Sequence, residues 1–268
     1  MGNFLFNTFR RIVFWVGDTR RIKKFPWVTW DVHQHEIGLD EVLREAVPLL
    51  EKGDIPLHRD SGFLSNVFIP GAMIHAGIAV GDDYVIEAVS EGVVKRHAAY
   101  LLRSDYACIV RPRIADYGSA VRAIAVREAC EWAEKIVGFP YDVLFDFCGE
   151  EERELVRKHG SGAKEHGVRF ACTEIPYFCY LEHTASLRLF RRRNINFLTR
   201  MLSWIGLNPG EAVVDADMYV TSEFEVVWCS RSMSVDWCKK MKCSEAFIHK
   251  IEQYWKEKGG EKKNGQVS

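Results

Sequence analysis

Along the chain, apolar positions switch between a period near 3.6 residues and a period of two, and the switches mark out the elements. Leu39, Val42, Leu43, Ala46, Val47 and Leu50 keep helical spacing up to a turn signal, Glu-Lys-Gly-Asp, at 51–54. Residues 54–115 change character. The runs 74–80 and 84–89 flank Gly81-Asp82-Asp83 and read as a β-hairpin, and further strands are expected at 92–96 and 106–111. Val121, Ile124, Ala125, Ala129, Trp132, Ile136 and Val137 restore the helical period over 119–137, with Gly138 as the stop. The stretch 148–168 is charged and glycine-containing, which suits an exposed loop or a short solvated helix. A pair of strands is expected near 213–229. Trp237, Met241, Ile248, Ile251 and Trp255 then continue as one helix from a Ser234 cap to Gly259. No internal repeat is visible. Helix, antiparallel strands, helices and closing strands make an α+β fold, an antiparallel sheet packed on helices with helical extensions at both ends.

The two ends carry their own signals. Phe4, Leu5, Phe9, Ile12, Val13 and Val16 form a stripe bordered by Arg10, Arg11, Arg20, Arg21, Lys23 and Lys24. Two readings stay open for residues 4–24: a helix packed on the body of the protein, or an amphipathic helix resting on an anionic membrane surface. Arg10 and Arg11 interrupt the apolar stretch and no small-residue cleavage site follows, so it does not read as a secretory signal. No run of 18 apolar residues is present, so a cytoplasmic or peripheral-membrane location is expected. The expected organisation is an N-terminal helical and basic extension (1–38), a catalytic domain (39–230), a C-terminal amphipathic helix (231–258) and a polar, disordered tail (259–268).

Composition narrows the function classes. Thirty-six Lys and Arg against 37 Asp and Glu give a net charge of −1 over 268 residues, which argues against a strongly basic nucleic-acid binder; no nucleic-acid partner is expected. The basic run Arg188, Arg191, Arg192 and Arg193 reads as a solvated helix face, with contact to phosphate or anionic lipid as the alternative. The eight cysteines show no paired Cys-x-x-Cys spacing, so they read as reduced thiols. His33, His35 and the set Cys229, Cys238, Cys243 fit no zinc spacing; no metal and no cofactor are expected. Cys108, Cys130, Cys179 and Cys229 lie in apolar periodic segments and read as core.

Cys172 differs from these by position. Pro176 fits only the first turn of a helix, so that helix should open near 172–173 and place Cys172 at its N-terminus. Free backbone N–H groups there lower a thiol pKa and can hold an oxyanion. A nucleophilic thiol also needs a base and a group that orients the base. His75 opens the first hairpin strand, with the small residues Gly77 and Ala79 on its face. Hairpin pairing with index sums near 162–164 brings Glu87 close to it across the turn.

Spacing alone does not join Cys172 to His75. The strings Gly53-Asp54-Ile55, His75-Ala76-Gly77-Ile78-Ala79-Val80-Gly81, Val85-Ile86-Glu87-Ala88 with Gly92-Val93, Gly138-Phe139-Pro140-Tyr141-Asp142 and Cys172-Thr173-Glu174 do so by resemblance. In that order they resemble the circularly permuted NlpC-type papain-like cysteine hydrolases, the YiiX-like subgroup in particular, over about residues 50–230. The resemblance implies a permuted papain-like fold, Cys172 as nucleophile, His75 as general base and Glu87 as the orienting residue. It also implies Tyr141 beside the nucleophile, binding the oxyanion or the substrate carbonyl. The expected activity is that of a cysteine peptidase or amidase acting on an amide bond in a cell-wall peptide or related acyl substrate. A lipid acyltransferase or thioesterase on the same fold, and a catalytically silent binding module, are the alternatives. Pro176, where an ordinary helix former is expected, and the charged insertion 148–168 depart from the pattern and bear on specificity.

Overall fold

The structure, a computed structural model, describes residues 35–61, 71–114, 118–142, 149–183 and 216–259. Its centre is a six-stranded sheet in the order β4-β3-β2-β1-β5-β6, with every neighbouring pair antiparallel. The strands are β1 (Ile55–Arg59), β2 (His75–Gly81), β3 (Tyr84–Val89), β4 (Gly92–His97), β5 (Tyr106–Pro112) and β6 (Phe224–Cys229). The α+β class expected from the pattern is therefore present.

Alternation of side chains gives the sheet two buried faces. On the first, Ile55, Leu57, Ala76, Ile78, Val80, Ile86, Ala88, Cys108 and Val110 pack in one core with helix α3 (Ser119–Lys135) and helix α5 (Glu174–Cys179). On the second, Ala79, Val85, Ala107, Ile109 and Trp228 pack against helix α1 (Leu39–Glu41, continued by Val42–Ala46 and Val47–Leu49) and the short helix α2 (Ala99–Leu102). Helix α4 (Glu150–His159) precedes α5 in the chain, and two C-terminal helices, α6 (Val235–Lys240) and α7 (Glu245–Gly259), follow β6. Cys238, Phe247 and Ile251 belong to the first core, so this C-terminal pair packs into the same interior as the sheet.

The hairpin, the strands at β4 and β5, and the helix over 119–135 lie where the pattern put them. Four elements differ. Strand β1 was not expected, because Pro56 breaks the alternation and removes a donor, yet β1 sits between β2 and β5. The charged insertion is a helix with a buried side: Arg153 is fully buried, its guanidinium 4.2 Å from the Trp132 ring, and it donates to the Phe178 carbonyl at 3.0 Å. In place of a strand pair near 213–229, the described residues hold one helical turn (Ala216–Tyr219) and the single strand β6. The last helix is broken into two. Lys242 turns left-handed at φ 57°, and Ser244 accepts from Phe247 N–H at 3.2 Å to start the second piece, as Ser234 accepts from Trp237 N–H to start the first. The stripe at 4–24, the arginine run at 188–193 and the tail beyond Gly259 lie outside the described residues.

Candidate active site

Helix α5 begins at Glu174, two residues after Cys172, so the expectation of a helix opening near 172–173 is met within a turn. The turn before it is fixed from two sides. The buried Glu174 carboxylate accepts from Ala171 N–H at 2.9 Å, closing the loop that carries Cys172 at its tip. Tyr219 donates its hydroxyl to the Thr173 carbonyl and accepts from Tyr177 N–H at 3.2 Å, clasping both ends of the first helical turn. Nothing in the sequence pattern singles out Tyr219, since its partners are backbone atoms more than 40 residues away.

Cys172 belongs to the core on the first face of the sheet, whereas alternation directs His75 to the second face. They meet at the start of β2. Cys172 Sγ lies 3.8 Å from the carbonyl oxygen of Ile74, the residue before His75, and is close enough to the His75 imidazole for the ring's charge to act on the thiol. His75 Nε2 lies 2.5 Å from Glu87 Oε2, which leaves Nδ1 for the thiol. Glu87 Oε1 accepts from Arg96 Nε at 2.5 Å, so both carboxylate oxygens are bonded although Glu87 is 0% exposed.

The ladder explains how these side chains reach one another. Glu87 stands opposite Gly77 on β2 and opposite Val94 on β4. It therefore touches His75 along one diagonal and Arg96 along the other, both within reach of long side chains. Gly77 makes room for this: a Cβ there would lie 2.8 Å from Leu101 Cδ1 and 3.3 Å from Glu87 Cβ.

Tyr141 arrives on a separate segment. It forms an isolated parallel bridge with Phe170, Asp142 N–H donates to the Phe170 carbonyl at 2.9 Å, and its hydroxyl donates to Cys172 Sγ at 3.8 Å. Cys172, His75, Glu87 and Tyr141, the four residues singled out from the sequence, are thus brought together.

The charges follow from these contacts. Burial opposes ionisation at Cys172, but the His75 charge and hydrogen bond, the Tyr141 hydroxyl and the Thr173 N–H outweigh it and hold the thiol below its ordinary value. Burial also opposes a charge on His75. The Cys172 thiolate and the Glu87 carboxylate outweigh it and raise the imidazole to about 10. Glu87 itself is held down at about 2 by His75 and Arg96, against its burial. At neutral pH the His75 imidazole is cationic and Glu87 is ionised, and the imidazolium favours the thiolate form of Cys172. Burial pushes the thiols of Cys108, Cys179 and Cys229 up and takes Cys130 to about 11, so these four are poor nucleophiles.

Besides Tyr219, two residues at the site carry no mark in the sequence pattern. Arg96 follows from the diagonal just described. His58, on the unexpected strand β1, stands directly opposite His75, and the rings stack at 4.6 Å between centroids and 19° between planes. Asp54, in the Gly-Asp-Ile string, is structural: it takes Arg111 in a two-pronged bond at 2.7 and 2.8 Å.

For metals, His35, Asp60 and Asp105 each bring one donor atom within 4.8 Å of the others. Hydrogen bonds account for the two carboxylates. Asp60 accepts from Ser104 Oγ at 2.8 Å and Asp105 N–H at 3.1 Å; Asp105 accepts from Ser61 N–H at 2.6 Å and Glu36 N–H at 3.2 Å. Among the described residues no helix is long and apolar enough to cross a membrane.

No protein-family model and no curated protein matches the sequence. Among solved structures, the chain is similar to the metalloprotein YiiX from Escherichia coli O157:H7, with a TM-score of 0.47 and 16% sequence identity. The match covers 67% of this chain and 97% of that one, and the word metalloprotein describes that protein.

Proposed function

We propose that the chain is a thiol-dependent hydrolase on a circularly permuted papain-like scaffold of the NlpC type, cleaving an amide bond in a cell-wall peptide or a related acyl substrate. One observation carries the reading: His75 is hydrogen-bonded to Glu87 at 2.5 Å, and its charge depresses the Cys172 thiol while the thiol and Glu87 raise the imidazole.

The chemistry follows from that array. The Cys172 thiolate attacks the acyl carbon, and the carbonyl oxygen becomes an oxyanion. Tyr141 O–H and Thr173 N–H stabilise the thiolate before attack. Once sulfur is bonded to carbon they are released from that task and can turn to the oxyanion. The His75 imidazolium gives its proton to the leaving amine, and the neutral imidazole then takes one from the water that hydrolyses the acyl-enzyme. Glu87 holds the ring in one orientation and stabilises its cationic form. Cys172 is only 3% exposed and the His75 side chain 14%, so the substrate carbonyl approaches from the imidazole side.

The test is a substrate screen with purified wild type and Cys172→Ala. Release of an amine from peptidoglycan fragments, lost by on the order of a thousandfold or more in the variant, supports the reading. Cleavage of lipid esters or thioesters, or acyl transfer between lipids, moves the substrate to the acyltransferase or thioesterase class while keeping the site. Absence of turnover, together with Cys172 alkylation no faster than that of the other thiols, overturns it in favour of a binding module. Co-sedimentation with anionic vesicles, compared between the full chain and a form lacking residues 4–24, tests the membrane contact proposed for that stripe.

A further inference from the structure

His58 is fixed independently of the site it supports. Its Nδ1 lies 2.6 Å from the Leu101 carbonyl oxygen of helix α2. A carbonyl only accepts, so Nδ1 carries the proton and the ring is locked in one tautomer and one plane. That plane lies flat on the His75 imidazole, 4.6 Å away and tilted by 19°. The stacking is set by the ladder, because His58 and His75 are direct cross-strand partners on β1 and β2.

We infer that His58 is a positioning residue, a flat uncharged shelf that holds the His75 ring in the plane joining Nδ1 to Cys172 and Nε2 to Glu87. The inference rests on the Cys172–His75–Glu87 reading above and deepens it. Two hydrogen bonds on opposite ring edges fix an imidazole against sliding, but they leave it free to rock about the axis that joins them. A ring stacked on its face removes that rotation. A neutral π face also stabilises an adjacent cation, whereas a second cation would repel it.

The surroundings keep His58 neutral. Burial and the neighbouring His75 charge lower its pKa from 6.5, and they prevail over Asp60 at the end of its own strand and Glu87 on β3. Helix α2 presents the Leu101 carbonyl to the ring.

The experiment reads the thiolate rather than turnover. Alkylation of Cys172 by iodoacetamide is followed by mass spectrometry as a function of pH in wild type, His58→Phe and His58→Leu. The Phe variant keeps a flat face and is expected to stay within about threefold of wild type at every pH. The Leu variant loses the shelf, and its inflection is expected to rise by about one unit, a roughly tenfold fall in rate below the inflection. A Leu variant that folds cooperatively and keeps the wild-type profile overturns the inference, as does a Phe variant that falls as far as the Leu variant. If the Leu variant does not fold, the His75 ring-proton resonance in His58→Phe decides: retention supports the shelf, and its disappearance overturns it. A wild-type inflection at the ordinary thiol value removes the ion pair itself and the shelf with it. Failure of the active-site reading is thereby separated from failure of the shelf alone.

Discussion

His75 and Glu87 meet across a diagonal of the β2–β3 ladder, with Nε2 and Oε2 2.5 Å apart, while Gly77 occupies the place directly opposite the carboxylate. The diagonal leaves the second carboxylate oxygen pointing towards β4, where Arg96 takes it at 2.5 Å. A buried carboxylate thus serves a cation on each side, which keeps it ionised without exposure to water.

The first expected outcome concerns thiol selectivity. Cys172 is held below its ordinary value of 9.0, whereas Cys130 stands at about 11 and Cys108, Cys179 and Cys229 are raised. At pH 7, iodoacetamide should modify Cys172 at least about tenfold faster than these four. Peptide mapping after a timed quench checks it, and equal labelling of all five would refute the ion pair.

Acid stability gives the second. Glu87 has an ordinary value of 4.5 and a folded value of about 2. Between these limits the unfolded chain binds the proton and the folded chain does not, so stability is present above 4.5 and drains as the pH falls towards 2. In urea titrations, the advantage of wild type over Glu87→Gln should be on the order of 3 kcal/mol at pH 6 and should shrink across that window. An advantage that does not change with pH would contradict an ionised Glu87.

Replacement of Arg96 by Met tests the far end of the array. The change removes the donor to Glu87 Oε1 and leaves a buried carboxylate with His75 as its remaining charged partner. A loss of about 1–3 kcal/mol in unfolding free energy is expected. Turnover on whatever substrate the screen finds should fall less than in Glu87→Gln, since the His75 bond survives. A larger fall in Arg96→Met would place Arg96 on the substrate.

Tyr219→Phe probes the clasp around the nucleophile turn. It removes the donor to the Thr173 carbonyl and the acceptor for Tyr177 N–H in a fully buried setting. The expected cost is about 1–3 kcal/mol in thermal or chemical unfolding, with slower alkylation of Cys172 as the turn loosens. Unchanged stability and labelling would show that Glu174 fixes the turn alone.

Tyr141→Phe separates the hydroxyl from the ring. Loss of the donor to Cys172 Sγ should move the alkylation inflection up by less than about one unit. It should lower turnover by about tenfold to a hundredfold if the hydroxyl also serves the oxyanion. A variant with wild-type turnover would confine Tyr141 to packing.

Much of this was legible in the chain, because the features that encode it are local. The 74–89 hairpin announces itself by alternation around Gly81–Asp83, and its pairing sum of 164 follows from the turn, so Glu87 could be placed near His75. Pro176 marks a helix start without reference to anything distant. What escaped depends on partners far along the chain. Strand β1 contains Pro56 and is stabilised by both neighbours rather than by its own pattern, so His58 had no visible strand to sit on. Arg96 looked like an exposed strand residue until the β3–β4 register brought it to Glu87. Arg153 read as one charge in an acidic and basic run, yet its ring contacts with Trp132 and Phe178 bury it.

Gly77 carries the last consequence. A Cβ at this position would meet Leu101 Cδ1 on one side and Glu87 Cβ on the other; Glu87 holds His75 by its edge, and the Leu101 backbone carbonyl holds His58 by its Nδ1. One added methyl group would press on the Glu87 stem directly and displace the Leu101 side chain. The setting of the His75 ring is therefore adjustable from a position that bears no functional group, and drift at 77 would disturb it with every titratable atom still in place.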